Sequence, residues 1–366
     1  MQLRDLHRQY LAMKAEIDSA MLATVDSAAF IMGNAVAELE RQLAEYVGVK
    51  HCITCANCTD ALRLALTTWN IGAGDAVFVP DFTFFASAEA VALRGATPIF
   101  VDVCRNYYNI DAEDLVVKIN YVESQTDLHP AAVIAVDLFG MPADYAAIKP
   151  LCKAHNLLLL EDGAQGFGGS YDGSKACSFG DIAATSFFPA KPLGCYGDGG
   201  ALFTDNDEWA ETLRSLCLHG RGKEKYDNVR IGINSRLDTV QAAVLQVKMR
   251  HFDEELAAVN RIAQSYSTLL GGRVSLPEVP ATAVSSWAQY TIRSDNRDLL
   301  KARLHEAGIP SAVYYPRTMS LQRAFAPVMK YQRPCPVAEE LSRSVLSLPM
   351  HPYLTDDEIE LIATTI

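Results

Sequence analysis

A chain of 366 residues is too long for one compact core and suits two domains, with 49% hydrophobic and 21% charged residues in ordinary globular proportion. Its net charge of −12, with no basic cluster to offset it, speaks against a nucleic-acid surface. The charged start MQLRDLHRQY is no secretory leader, the apolar runs are too short to span a bilayer, and an odd count of 9 cysteines fits reduced thiols in the cytoplasm.

Apolar spacing through Val36, Leu39, Leu43, Tyr46 and Val47 predicts a helix that stops at Gly48. Strand-like runs follow at HCITCA (51–56), AVFVPD (76–81), TPIFVDV (97–103), AVIAVDLFG (132–140), LLLLED (157–162), IAATSFF (182–188) and ALFTDN (201–206). A helix after Thr59 carries Ala61, Leu62, Ala65 and Leu66. Continuous apolar strands alternating with helices predict an α/β fold, a mostly parallel sheet covered on both faces. From Arg236 to about Leu270 a long helical pattern leads into an α+β remainder, with a strand at QYTIRS (289–294) and a helix at 297–308. The expected division is 1–245 for the large domain and 246–366 for the small one.

Ligands of such sheets gather at the carboxyl ends of the strands. Asp162 closes one strand, and Lys191 follows SFF at the head of a glycine-rich stretch, PLGCYGDGG. A carboxylate that keeps a pyridine nitrogen protonated and an amine that forms a Schiff base are the groups a pyridoxal-phosphate enzyme needs most. Taken singly, Asp162 reads as well as a helix cap, and Lys191 as part of a glycine-rich hairpin. Phe187, Phe188, Pro189 and Leu193 would desolvate Lys191 and favour its neutral amine. Gln165 is within reach of a ring hydroxyl, and Ser186 could offer a hydroxyl to phosphate. Thr59 and Asp60 open a helix, which makes an anion site or a plain cap. Phe84 suits either ring stacking or core packing. Cys52, Cys55 and Cys58 have metal-like spacing, but strand alternation sends Cys52 and Cys55 to opposite faces.

The segments DLHRQY, TDAL, EDGAQ, SFFPAK with PLGCYGDGGA, NSRLD and SLPMHPYL together resemble the DegT/StrS-type nucleotide-sugar aminotransferases, a branch of the fold-type I pyridoxal-phosphate (PLP) enzymes. The resemblance runs along essentially the whole chain. It implies a large domain with a seven-stranded sheet and a smaller α+β domain, with PLP as cofactor. It makes Lys191 the Schiff-base lysine, Asp162 the partner of the pyridine nitrogen, Gln165 the residue facing the ring hydroxyl and Phe84 the stacking ring. Thr59, Asp60 and Ser186 become phosphate neighbours. Asn234 becomes a phosphate ligand supplied by a second copy, which implies a homodimer with shared sites. Arg236, Tyr314 and Tyr315 fall toward the substrate. Cys58 stands where a glycine is usual, Gly163 where alanine is common, and Tyr314 where many relatives have histidine.

By the same resemblance L-glutamate is the donor and 2-oxoglutarate its product. The wording around Lys191, NSRLDTVQAA and AQYTIR is most similar to enzymes acting on a UDP-linked 3-oxo-N-acetylglucosaminuronate in O-antigen synthesis. A 4-keto-sugar aminotransferase, a sugar dehydratase and a regulatory homologue are the alternatives. Dehydratase relatives carry histidine at the lysine position, so Lys191 disfavours that reading.

Overall fold

The computed structural model describes residues 1–224 and 226–366. Helices α1 (Leu6–Ser27) and α2 (Asn34–Val47) precede an alternation of β1 (His51–Cys55), α3 (Cys58–Thr68), β2 (Asp75–Pro80), α4 (Phe85–Leu93), β3 (Thr97–Val101), α5 (Ala112–Gln125), β4 (His129–Val136), α6 (Tyr145–Ala154) and β5 (Leu158–Asp162). A short hairpin of β6 (Ser170–Tyr171) and β7 (Ser174–Lys175) leads to β8 (Ile182–Ser186), β9 (Gly200–Thr204) and α7 (Asp207–Cys217).

Seven of these strands form one sheet in the order β1-β9-β8-β5-β4-β2-β3. Only β9 runs against its neighbours, and the pairs from β8 to β3 are all parallel. Alternate residues of each strand enter opposite cores, which is why the strands read as unbroken apolar runs. Ile53, Val77, Ile134 and Leu160 pack with Leu62 and Leu66 of α3 on one face, whereas Phe78, Val133 and Leu159 pack with Ile119 and Ile148 on the other. Cys55 lies in the first of these cores and Cys52 in a third, beside Phe203 and Leu39. The two thiols therefore occupy opposite faces, as alternation requires.

The 32-residue α8 (Thr239–Leu270) ties the parts together. Its first half receives Met13 and Ile17 of α1 against Val244 and Val247. Its second half presents Val259, Ile262, Tyr266 and Leu270 to a smaller core. That core is built by β11 (Tyr290–Arg293), α9 (Arg297–Glu306), β12 (Val345–Leu348) and α11 (Asp356–Thr365), with β11 and β12 antiparallel, while β10 (Ala283–Val284) pairs with β6 and α10 (Pro336–Ser344) precedes β12. The division expected at 245/246 falls inside α8, which is continuous there. Met319, Phe325, Ala338 and Leu341 return to the larger core. Among the described residues no helix is long and apolar enough to cross a membrane.

Candidate active site

The parallel strands place their carboxyl ends on one edge of the sheet, and the segment after β1 forms an anion-binding corner there. Helix α3 is capped two residues earlier than the sequence suggests: Asn57, not Thr59, is its cap, with Asn57 Oδ1 accepting from the Asp60 N–H at 2.8 Å. Asp60 is thereby used locally, since its carboxylate also pairs with Arg63 at 3.3 Å. The N–H groups of Cys58 and Thr59 and the Thr59 hydroxyl have no partner among the described residues. Bare N–H groups at a helix start attract anions.

Gly200 lets the sheet approach this corner. A Cβ there would lie 2.6 Å from the Asn57 carbonyl carbon and 2.9 Å from the Cys58 nitrogen. Register aligns Gly200 with both Cys55 and Ser186, so one row of the sheet carries all three. Ser186 Oγ accepts from the Phe188 N–H at 3.3 Å, which leaves its own O–H to donate. Gly200→Ala should push the α3 start outward, at about 1–3 kcal/mol of overpacking. Equilibrium dialysis should then show cofactor affinity at least about tenfold weaker; unchanged affinity would remove the corner from the site.

Asp162 at the end of β5 is 4% exposed. Ser87 donates its hydroxyl to Asp162 Oδ2 at 2.7 Å, the Ala164 N–H reaches Oδ1 at 3.2 Å, and Thr83 stands 3.2 Å behind Ser87. Burial pushes the Asp162 carboxyl up, and Ser87, the Ala164 N–H and the Lys191 charge oppose that. Lys191 is half-buried, and desolvation holds its amine below the usual lysine range, with Arg4 adding to the effect and Cys58 and Asp162 opposing it. The two groups are thus close enough to bias each other. Cys58 adjoins the carboxylate: its Sγ is 4.0 Å from Asp162 Oδ1, and burial pushes its thiol well up, so it stays S–H. The extra side chain at this usually glycine position points to Asp162.

Behind Asp162, whose carbonyl accepts from the Asp137 N–H at 3.1 Å, lies a buried acid pair. Glu161 accepts from the backbone N–H groups of Cys177, Phe179 and Gly180. Asp137 Oδ1 accepts from Tyr145 at 2.7 Å and Ala143 at 3.0 Å, while its Oδ2 has no donor. Burial, then the charge of Glu161, raises Asp137 well above the carboxylate range. Glu161 is raised by burial too but is held down by its three backbone donors, so Asp137 is the member of the pair pushed further toward its protonated form. A raised folded-state pKa gives stability that is complete below the unfolded value, about 4, and is lost as pH rises toward the folded value. Asp137→Asn keeps the oxygen that accepts from Tyr145 and Ala143 and an N–H donor in place of the acid proton, so urea titrations from pH 4 to 8 should show a flatter fall in stability than wild type. Parallel curves would contradict a proton on Asp137.

The remaining expected residues divide into two groups. Phe84, at the N-cap of α4, leaves its ring 55% exposed and 6.1 Å from the Tyr315 ring. Tyr315 is half-buried and accepts from Gln165 Nε2 at 3.1 Å. Gln165 Oε1 accepts from the Phe139 N–H at 2.6 Å, which fixes the amide with one Nε2 hydrogen still free. Tyr314 packs its ring 5.8 Å from that of Tyr315. Asn234 instead lies exposed on a segment that bridges Leu218, and half-buried Arg236 makes no ion pair among the described residues. Residues that sequence reasoning did not single out are Ser87, Arg4 and Lys248. Ser87 alone had a local signal: it lies in the same PDFTFFAS segment as Phe84.

A buried carboxylate and a desolvated amine that bias each other, with a bare helix start, a free amide hydrogen and an exposed aromatic face, fit PLP, the cofactor of the fold-type I enzymes. The sequence profile of the DegT/DnrJ/EryC1/StrS aminotransferase family matches residues 11–366, and the chain belongs to that family. It is 41% identical over 363 residues, covering 99% of this chain and 98% of the relative, to the UDP-2-acetamido-2-deoxy-3-oxo-D-glucuronate aminotransferase of Pseudomonas aeruginosa. It is 42% identical over 367 residues, 99% and 96% of the two chains, to a UDP-N-acetyl-3-dehydro-alpha-D-glucosamine 3-aminotransferase of Acidithiobacillus ferrooxidans. A family member from Brucella abortus has a crystal structure with a TM-score of 0.98 at 48% identity, covering 100% of this chain and 98% of that one. Solved neighbours of the same fold include PLP- and PMP-bound forms.

Proposed function

We propose that the chain transfers an amino group from L-glutamate to carbon 3 of a UDP-linked 3-oxo-N-acetylglucosaminuronate, in the cytoplasm, for a bacterial surface polysaccharide. The observation that carries the chemistry is the joint placement of Asp162 and Lys191 around Cys58 at the start of α3. The carbon position and the UDP group rest on the two relatives whose names specify a 3-oxo or 3-dehydro UDP sugar.

Bound PLP supplies a pyridinium ring that withdraws electrons from the carbon losing its proton. The protein's own groups do the rest. The Cys58 and Thr59 N–H groups with the Thr59 and Ser186 hydroxyls hold the phosphate. Asp162, fixed by Ser87, keeps a proton at the ring nitrogen, and Gln165 gives its free hydrogen to the ring hydroxyl. Phe84 covers one face and keeps water from it. Lys191 anchors the cofactor and, once free, takes and returns the proton at its Nζ, a task suited to an amine lowered toward neutral pH.

A second copy completes this site in the proposal, with Asn234 reaching the partner's phosphate. Its support is apolar surface left exposed near that residue: Val229 and Ile231 on the same loop, and Phe30, whose carbonyl accepts from the Thr239 N–H. A monomer in sedimentation at working concentration would remove the shared site.

The purified protein should show a visible cofactor band that bleaches on adding L-glutamate and returns with 2-oxoglutarate. A band inert to glutamate would overturn the donor. The reverse half-reaction, run against UDP- and dTDP-linked 3-amino and 4-amino sugars, should favour the UDP-linked 3-amino uronate. Preference for a 4-amino sugar would overturn the carbon assignment.

A further inference from the structure

The turn that carries Lys191 is held from behind by two cations that the reaction itself does not use. Gly194 folds so tightly that a Cβ there would lie 2.5 Å from the Pro189 oxygen and 2.7 Å from the Phe188 oxygen. The carbonyls of Lys191, Pro192 and Gly194 receive no backbone donor among the described residues. Buried carbonyls need partners. Arg4, ahead of α1, supplies Nη2 to the Lys191 carbonyl at 2.9 Å and to the Pro192 carbonyl at 3.3 Å. Lys248, on α8, supplies Nζ to the Gly194 carbonyl at 2.7 Å.

Lys248 is 1% exposed, and a chain of hydrogen bonds links it through Gln9 to a carboxylate. Its Nζ also donates to Gln9 Oε1 at 2.8 Å and lies 4.5 Å from the centre of the Tyr196 ring. Gln9 Nε2 in turn donates to both oxygens of Glu255, at 3.0 and 2.9 Å, and Tyr353 donates to Glu255 Oε1 at 2.6 Å. A fully buried lysine is rare unless paired, and this network joins α1, α8 and the turn before α11 to the Lys191 turn.

We infer that Lys248, together with Arg4, is a positioning residue for Lys191: the two cations pin three carbonyls of its turn, those of Lys191, Pro192 and Gly194, and so fix where the Lys191 amine stands. The inference rests on the proposed role of Lys191 in anchoring the cofactor. The positive charge of Arg4 also opposes protonation at Lys191. Burial lowers Lys248 itself to about 8, with Glu255 opposing the shift. Even a neutral amine there would keep donors for both Gly194 and Gln9.

The test uses the full chain with Lys248→Met, Lys248→Arg and Arg4→Met. In the cofactor-free protein, amide exchange of the 187–200 peptide should rise at least about tenfold in Lys248→Met while peptides from β4 stay protected. Lys248→Arg should recover most of that protection. In the cofactor-loaded protein the pH midpoint of the visible band should move, upward in Arg4→Met because an opposing charge is lost. Unchanged exchange and midpoint in Lys248→Met and Arg4→Met would overturn the inference, and so would an equal loss of protection across all strands, which marks simple structural glue. If Lys248→Met does not fold, Arg4→Met decides by the same two readings. Borohydride reduction with peptide mapping keeps the two ideas apart. Cofactor fixed elsewhere than Lys191 defeats the proposed anchor, whereas the exchange result without cofactor still decides whether the turn is clamped.

Discussion

Lys191→Ala should yield a folded protein that has no visible Schiff-base band and transaminates at a small fraction of the wild-type rate. Among the described lysines Lys191 is the one whose amine is biased by Cys58 and Asp162, and Lys248 is committed to the Gly194 carbonyl and Gln9. Loss of a positioned base costs about 10²–10⁴-fold, to which loss of the covalent anchor adds. Single-turnover rates of both half-reactions measure the effect, and thermal unfolding separates it from misfolding. A variant with full transamination would show that another group moves the proton.

Asp162→Asn should retain the fold and bind PLP, but slow proton removal by about 10²–10³-fold, the usual effect of deleting one aligned electrostatic partner. The side chain is buried and bounded by Ser87, Ala164 and Cys58, so an amide of the same shape fits. It has one acceptor where the carboxylate has two, and it cannot hold a pyridinium proton. Ser87→Ala offers a finer probe. Ser87 lowers the Asp162 pKa, so removing it lets burial raise that pKa further. The carboxylate form is then lost at a higher pH, and the acid limb of kcat/KM should move up, with a loss near pH 8 of no more than about tenfold. An unmoved acid limb would assign it to another group.

How the site is assembled explains which parts of it could be read from the chain. Asp162, Gln165, Ser186 and Lys191 lie within 30 positions, at strand ends that apolar runs mark clearly. Thr59 follows another such run. The helix cap was misplaced by two residues because Asn57 and Thr59 are both good caps, and only the hydrogen bond to Asp60 distinguishes them. Helix α1 was not anticipated: Leu11, Leu22 and Val25 point outward, so no single apolar stripe marks it. With that helix unseen, Gln9 and the role of Arg4 were out of view.

The sequence by itself determined the alternation of strands and helices, the mostly parallel sheet and the polar residues at the strand ends to which the chemistry is assigned in our proposal, because each is written in local spacing. Tertiary structure decided what lies between them. It sent Cys58 to Asp162, put Ser87 behind that carboxylate, buried Asp137 beside Glu161 and packed Met319, Phe325, Ala338 and Leu341 onto the larger core. It also placed Arg4 and Lys248 under the turn that carries Lys191. The reason is physical: contacts between distant segments, and the desolvation that shifts pKa values, depend on the packed surroundings, which local spacing does not encode.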